Sequence, residues 1–343
     1  MKSHTVPKRL LRQFSYYENS TKSLRLWRYE KDRAPYPKAS PDTATRIPGH
    51  FEDPSDESTE AHIEKRLAYE IEDPVNQFIA NFADSKFTIS QAQKHSMTRY
   101  VTLLFNRSRA RKEATKSLLA VRNHSLERLL QNQTQLATVA AHWNIKAHFE
   151  GKRFGRLISS DDVARRAQEF VKDVSMLSAS QEWYAQSVVR ALTELDDQIL
   201  NGQWGLIKTT GDRPFVLSDA PVVTWERLES GAISHGVGFH RPNVEVALPV
   251  SPLTCLHILP DVKRSRAVKP PTVDEINRAE IGFAHESCFT NVPSKDIDLV
   301  VQQSISSIKI GKNAFTMQHR NYDNAFYELL MNNGKWVDPP LRK

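Results

Sequence analysis

The apolar pattern of the chain changes period once, near residue 202, and that change narrows the folds open to it. Upstream, apolar residues recur three and four apart, as on one face of a helix. A cap at Thr59 precedes the face Ile63, Leu67, Ile71, Val75 and Phe78, with Pro74 placed to bend or break it. Ser90 caps a second face of Met97, Tyr100, Val101 and Leu104. Leu118, Leu119, Leu126, Leu129, Leu130, Leu136, Val139 and Trp143 mark further helices. Ser160-Asp161-Asp162 opens one with Val163, Ala167, Phe170, Val171 and Val174 inside, and a last helix over 180–200 ends against Gly202 at its C′ position. Downstream, short apolar runs at 204–207, 215–217, 222–225, 244–248, 254–259 and 287–291 are bounded by turn residues and read as strands. Pro270-Pro271 introduces a helix over 272–283, and another is expected over 294–308. The expectation is an α+β protein: a helical N-terminal half followed by a mixed β-sheet with flanking helices.

The 343 residues suffice for one large domain or two moderate ones. Residues 1–34 read as an ordered N-terminal segment packing on the main domain. Val6, Leu10, Leu11 and Phe14 share one side, and Leu24, Leu26, Trp27 and Tyr29 alternate like a strand. Pro35, Pro37, Pro41, Pro48 and Pro54 make 35–58 a Pro-rich loop. A helical region over 59–202, an α+β region over 203–325 and a tail over 326–343 follow. No fixed period repeats, which argues against a solenoid.

Charge is unevenly spread. Residues 1–50 hold eleven Lys or Arg against four acids, 51–75 hold nine acids against two bases, and 99–128 hold eight bases against two acids. Basic stretches around an acidic one admit a polyanion partner, because released counterions drive such binding. They equally suit a salt-bridged, solvated surface. The two cysteines, Cys255 and Cys288, lie in apolar stretches, and the first residues carry no signal-peptide core, so a cytoplasmic protein with reduced thiols is expected. The apolar run 247–260 is 14 residues long with three prolines, short of the ~20 needed to span a membrane.

The common catalytic signatures are missing: no phosphate loop, no G-x-G-x-x-G, no G-x-S-x-G elbow, no H-E-x-x-H and no zinc-ribbon cysteine pairs. His142 with His148, and His235 with His240, do not have the four-residue spacing that sets two imidazoles on one helical face. More pointed features remain. His4-Thr5-Val6-Pro7-Lys8-Arg9-Leu10-Leu11-Arg12 sets a His and several cations in an apolar frame, either a terminus tucked into a cleft or simply an anchored end. Asp219 ends the strand-like Phe215-Val216-Leu217-Ser218, where it serves to bind a cation, orient a His or satisfy a turn's backbone. Leu248-Pro249-Val250-Ser251-Pro252 reads as a strand interrupted by rigid turns. Arg107, Arg109, Arg111 and Lys112 follow an apolar helix, as a solvated end or as a phosphate-binding stripe.

Taken in order, His4-x-Val6-Pro7 with Leu11-x-x-Phe14, Ile71-Glu72, Arg107-Ser108, Ser218-Asp219-Ala220-Pro221, Leu248 to Pro252 and Asn277 before Phe283-Ala284 resemble a large bacterial family of unknown function. Its members open with His-Tyr-Val-Pro and carry Ser-Asp-x-Pro and Pro-Leu-Ser-Pro blocks. Here Thr5 replaces the aromatic, and Arg109 stands where members often have Pro. The resemblance implies a single-gene anti-phage defence effector and marks His4, Glu72, Arg107, Asp219 and Asn277. If these converge, they suit a phosphate ester: Glu72 and Asp219 would hold a divalent metal ion, His4 would act as acid or base, and Arg107 would neutralise phosphate, with Arg9, Arg12, Arg109 and Arg111 adding substrate contacts. The expected function is therefore a metal-assisted nuclease or nucleotide-cleaving enzyme. The alternatives are a non-catalytic module binding nucleic acid or a phage protein, or a structural partner of host proteins.

Overall fold

The computed structural model describes residues 2–30, 38–48, 64–84, 87–109, 111–112, 124, 127–149, 157–179, 196–227, 233–239, 243–259 and 270–307. The expected cap Thr59, Ile63, Leu118, Leu119, Leu126, His240, residues 180–195 and the tail 326–343 lie outside them. Two compact units result, Met1–Glu113 with Gln181–Ile308, and Ala114–Ser180 with Lys309–Lys343. The division thus falls inside the stretch 59–202 that was expected as one helical region.

In the larger unit the chain opens with strand β1 (Lys2–His4) and helix α1 (Lys8–Gln13), whose N-cap is Pro7. Val6, Leu10, Leu11 and Phe14 are buried, so apolar spacing alone pins this end of the chain. Strands β2 (Tyr16–Glu18) and β3 (Ser23–Glu30) form a hairpin, and β4 (Lys38–Ala39) pairs with β3. Strand β5 (Arg46–Pro48) pairs with β1. Over 38–48, then, the Pro-rich segment expected as a loop is two strands and a turn.

Helix packing follows. Leu67, Ile71, Val75 and Phe78 are all buried. Pro74 has no N–H to return to the preceding turn, and the helix widens there into a π-helical turn, Ala68–Glu72, in which the Asp73 N–H reaches the Ala68 carbonyl. Helix α2 (Asp73–Asn76), a 3₁₀ turn (Ile79–Ala83) and α3 (Gln91–Arg107) complete this layer. Ser90 caps α3 through a reciprocal bond with Gln93, as its position suggested. Helix α6 (Asp197–Asn201) is shorter than expected. Asp196 has extended backbone and its carboxylate accepts from the Gln198 and Ile199 amides, which starts the helix there. Gly202 is not in the left-handed region; a Cβ at this position would lie 2.7 Å from both the Ile258 side chain and the Leu259 carbonyl, so close approach explains the glycine.

Strands β6 (Gln203–Lys208), β7 (Leu217–Ser218), β8 (Val223–Arg227), β9 (Ile233–His235), β10 (Val244–Ser251), β11 (Thr254–Leu259) and β12 (Ser287–Thr290) fall where the short apolar runs lie, with β9 not anticipated. They build a sheet ordered β6-β11-β10-β8-β9 and another ordered β2-β3-β12-β7. The expected mixed sheet is not found: every pairing among the described strands is antiparallel. Helix α7 (Val273–Phe283), capped by Thr272, carries the chain from β11 in one sheet to β12 in the other, so it forms no parallel crossover. Leu248 to Ser251 is not interrupted either. Strand β10 runs through Pro249 with a register shift before Ser251, beyond its last pair with β8 at Ala247. Helix α8 (Lys295–Ser307) closes the described unit.

In the smaller unit, α4 (Gln133–Phe149) and α5 (Ser160–Ala179) enclose Leu136, Ala140, Trp143, Ile158, Val163 and Ala167. The cap of α5 is Ser159, one residue before the expected start, exchanging bonds with Asp162. Among the described residues no helix is long and apolar enough to cross a membrane.

Candidate functional site

The N-terminal corner is built by backbone. The Thr5 amide donates to the Thr45 carbonyl at 3.1 Å, and the Thr45 hydroxyl accepts from the Val6 amide at 3.3 Å while donating to the Val6 carbonyl at 3.1 Å. These bonds set the His-Thr-Val-Pro segment against the turn after β4 and bring cations around one acid, Asp42. His4 Nε2 donates to the Asp42 carbonyl at 3.1 Å, Lys8 Nζ lies 2.7 Å from its carboxylate and Arg12 3.6 Å. The Lys8 ammonium holds the Asp42 carboxyl below the usual carboxylate range, with Arg12 and His4 reinforcing it. Arg9 lies three residues from Arg12 on α1, and Arg46 stands opposite His4 in the β1–β5 ladder. Both are exposed and meet no carboxylate among the described residues. Lys8 and Arg12 thus share Asp42, with Arg9 on the same helix and Arg46 opposite His4.

The three arginines at and just after the end of α3 meet three different fates. Arg107 is only 1% exposed and is held between two acids: Nη1 reaches Glu72 at 2.6 Å, and Nη2 reaches both oxygens of Glu64 at 2.9 and 3.0 Å. The π-helical turn sets Glu72 at the end of that contact. Tyr100 is fully buried nearby; its hydroxyl has no hydrogen-bond partner among the described residues, and burial and then the Glu72 charge push its ionisation well upward. Arg109 pairs with the exposed Glu286 at 2.5 Å. Arg111 stacks over Phe105 at 4.7 Å and meets no carboxylate among the described residues; burial pushes its guanidinium down.

Asp219 acts on backbone. Its carboxylate accepts from the amides of His285, Glu286 and Ser287 at 2.7, 2.8 and 3.1 Å, and its own amide donates to the Ser287 carbonyl. Burial raises the Asp219 carboxyl, while the three amides favour its charged form. Beside it, Glu280 is fully buried. It accepts from the Ser218 amide at 2.9 Å, while its second oxygen has no partner among the described residues. Burial, reinforced by the Asp219 charge, pushes Glu280 well above the ordinary range. Asn277 accepts from the Val216 amide and donates to the Pro214 carbonyl, both at 2.9 Å, so its amide fixes the approach to β7.

The structure brings three of the marked blocks together, since Glu72 pairs with Arg107 and the Ser-Asp block is tied in beside them through Glu286. Glu286 pairs with Arg109 through its carboxylate and with Asp219 through its amide, which joins the end of α3 to the Ser-Asp block. His4 belongs to the separate Asp42 network. The marked acids do not fit a shared divalent-cation site, since Glu72 faces a guanidinium and Asp219 faces three amides. Among the described residues no three His, Cys, Asp or Glu side chains are grouped to hold a metal.

Sequence reasoning passed over several polar residues. Asp42 lies in a segment read as loop. Glu245, fully buried in β10, holds Arg227 at 3.0 Å and His257 at 3.3 Å, with Trp225 stacked on the His257 ring. The available signal was an acid and an imidazole inside two otherwise apolar strands.

No curated protein and no solved structure matches this chain. A family model covers residues 2–294, which include every block from His4 to Asn277. On that match the chain belongs to the family described as protein of unknown function DUF4238.

Proposed function

We propose that this chain is a non-catalytic nucleic-acid-binding module with a role in anti-phage defence, and that it grips the phosphate backbone with its N-terminal corner. The observation that carries the reading is that Lys8 and Arg12 converge on the single acid Asp42 beside His4, while the exposed Arg9 lies on the same helix and Arg46 stands opposite His4. A surface with excess exposed cations attracts a polyanion by releasing its counterions. Binding is favoured over metal-assisted cleavage because Glu72 and Asp219 already spend their charge on Arg107 and on backbone amides, away from His4. The defence role rests on the family resemblance.

The test is salt-dependent binding of a labelled single-stranded oligonucleotide. Wild-type affinity should fall with salt at a log–log slope of about −0.7 per phosphate contact. Arg9→Ala and Arg46→Ala should each flatten that slope by roughly one contact. An infection assay with the Arg9→Ala/Arg12→Ala pair then probes the biological role. Full protection by a protein that no longer binds would separate binding from defence and sink the reading.

A further inference from the structure

We infer that Asp42 occupies the seat of a nucleic-acid phosphate, acting as a built-in anion that the ligand must displace; this rests on the reading of the corner as a nucleic-acid contact. The turn around Asp42 closes without its carboxylate. The Ser40 carbonyl accepts from the Thr43 amide at 3.0 Å and from the Ala44 amide at 2.9 Å, and the Thr43 carbonyl accepts from the Arg46 amide at 3.2 Å. The Asp42 carbonyl takes His4, and its amide donates to the Ser40 hydroxyl at 3.3 Å. Only the carboxylate is left over, and it is half exposed and points at Lys8 and Arg12.

Both cations converge on one oxygen, Oδ1, at 2.7 and 3.6 Å. That is how two basic side chains flank a non-bridging phosphate oxygen. The Arg12 contact is longer than a hydrogen bond, and its side chain is 47% exposed, so the pair is loosely held. Exposed ion pairs contribute little to stability, which makes this one displaceable by a ligand that brings several phosphates at once. Once Asp42 is displaced, Lys8 and Arg12 join Arg9 and Arg46 as phosphate contacts. The chemical class is a phosphodiester of single-stranded nucleic acid, and Asp42 lowers its affinity so that isolated phosphates compete poorly.

The experiment compares Asp42→Asn with Asp212→Asn, an exposed acid elsewhere in the larger unit whose substitution changes net charge by the same amount. Oligonucleotide binding is measured from low to high salt by fluorescence anisotropy, with a melting curve for each variant. Asp42→Asn should bind about two- to tenfold more tightly, the scale of one or two exposed ion pairs. Its slope should stay close to wild type, because the same phosphates are contacted once Asp42 is displaced. Asp212→Asn should stay close to wild type. Equal gains in both variants would make the effect one of net charge and overturn the inference. Unchanged binding in Asp42→Asn, with Arg9→Ala still weakening the complex, would overturn it and leave the proposed function standing. No binding by wild type or Asp42→Asn at low salt would remove both. Asp42→Ser serves if the Asn variant melts early, since the backbone bonds of the turn do not need the carboxylate.

Discussion

Arg107 and Glu72 stand 35 positions apart in sequence, yet Arg107 Nη1 lies 2.6 Å from the Glu72 carboxylate with the arginine side chain only 1% exposed. Glu64 closes the other side of the guanidinium. A buried charge of this kind survives only while its partners are in place. The sequence pattern offered Arg107 as a phosphate ligand; in the fold it ties the helix pair together.

Arg107→Met should therefore destabilise the larger unit by about 3–5 kcal/mol, because it strands two partly buried carboxylates. Glu72→Gln keeps the shape and should cost less, about 1–3 kcal/mol. Urea unfolding followed by tryptophan fluorescence checks the order, and a loss larger in the Gln variant would contradict the account.

Asp219→Asn should loosen the link between the end of β7 and the loop before β12. The new amide group faces backbone N–H donors, leaving one or more unpaired at a cost of about 1–3 kcal/mol. Hydrogen exchange at His285, Glu286 and Ser287 is the direct readout, and all three amides should lose protection.

Glu280 makes a pH-dependent contribution of known sign. Its raised ionisation means the folded state keeps a proton that the unfolded chain has already released. Its contribution is intact below the ordinary carboxylate range and declines as pH rises from that range toward the raised value. Glu280→Gln should remove this part of the decline and leave the protein relatively more stable at neutral and alkaline pH. Denaturation midpoints for both proteins across pH 4–9 provide the check; parallel curves would show that Glu280 ionises alike in both states.

Gly202→Ala should destabilise by about 1–3 kcal/mol, since the added Cβ meets the Leu259 carbonyl and Ile258 at 2.7 Å and neither the backbone of β11 nor its neighbour can yield freely. Thermal melting should place this variant below wild type, whereas Gly211→Ala, with open space around its Cβ, should melt close to wild type.

Local chemistry was legible because it acts over a few residues. Ser90 announced one helix start and Pro270-Pro271 another, and in the fold Ser90 and Thr272 both form reciprocal caps. The faces Leu67–Ile71–Val75 and Met97–Tyr100–Leu104 became buried surfaces as their spacing required, whereas Leu26 and Tyr29, three apart on β3, are buried in separate clusters and Leu24 is exposed. The α+β class followed from those same periods. The helix start at Asp196 was harder to see, because its deciding bonds lie in a cap within a continuous apolar pattern.

The site depended on distance in space. Sequence could name His4, Glu72, Arg107, Asp219 and Asn277 as polar residues in apolar frames, and all of them make ordered side-chain bonds. Which charges cancel was decided by the tertiary structure. Arg107, Arg109 and Arg111 are near-equivalent in sequence, yet packing buries the first between two acids, pairs the second at the surface and stacks the third on a ring. Side chains at a helix end point in different directions, and the acids that meet Arg107 and Arg109 lie 35, 43 and 177 positions away. Periodicity and capping are set by neighbours along the chain, so the sequence by itself determined the elements; charge compensation is set by neighbours across the core, so only the fold could decide which cations remain free to meet a ligand.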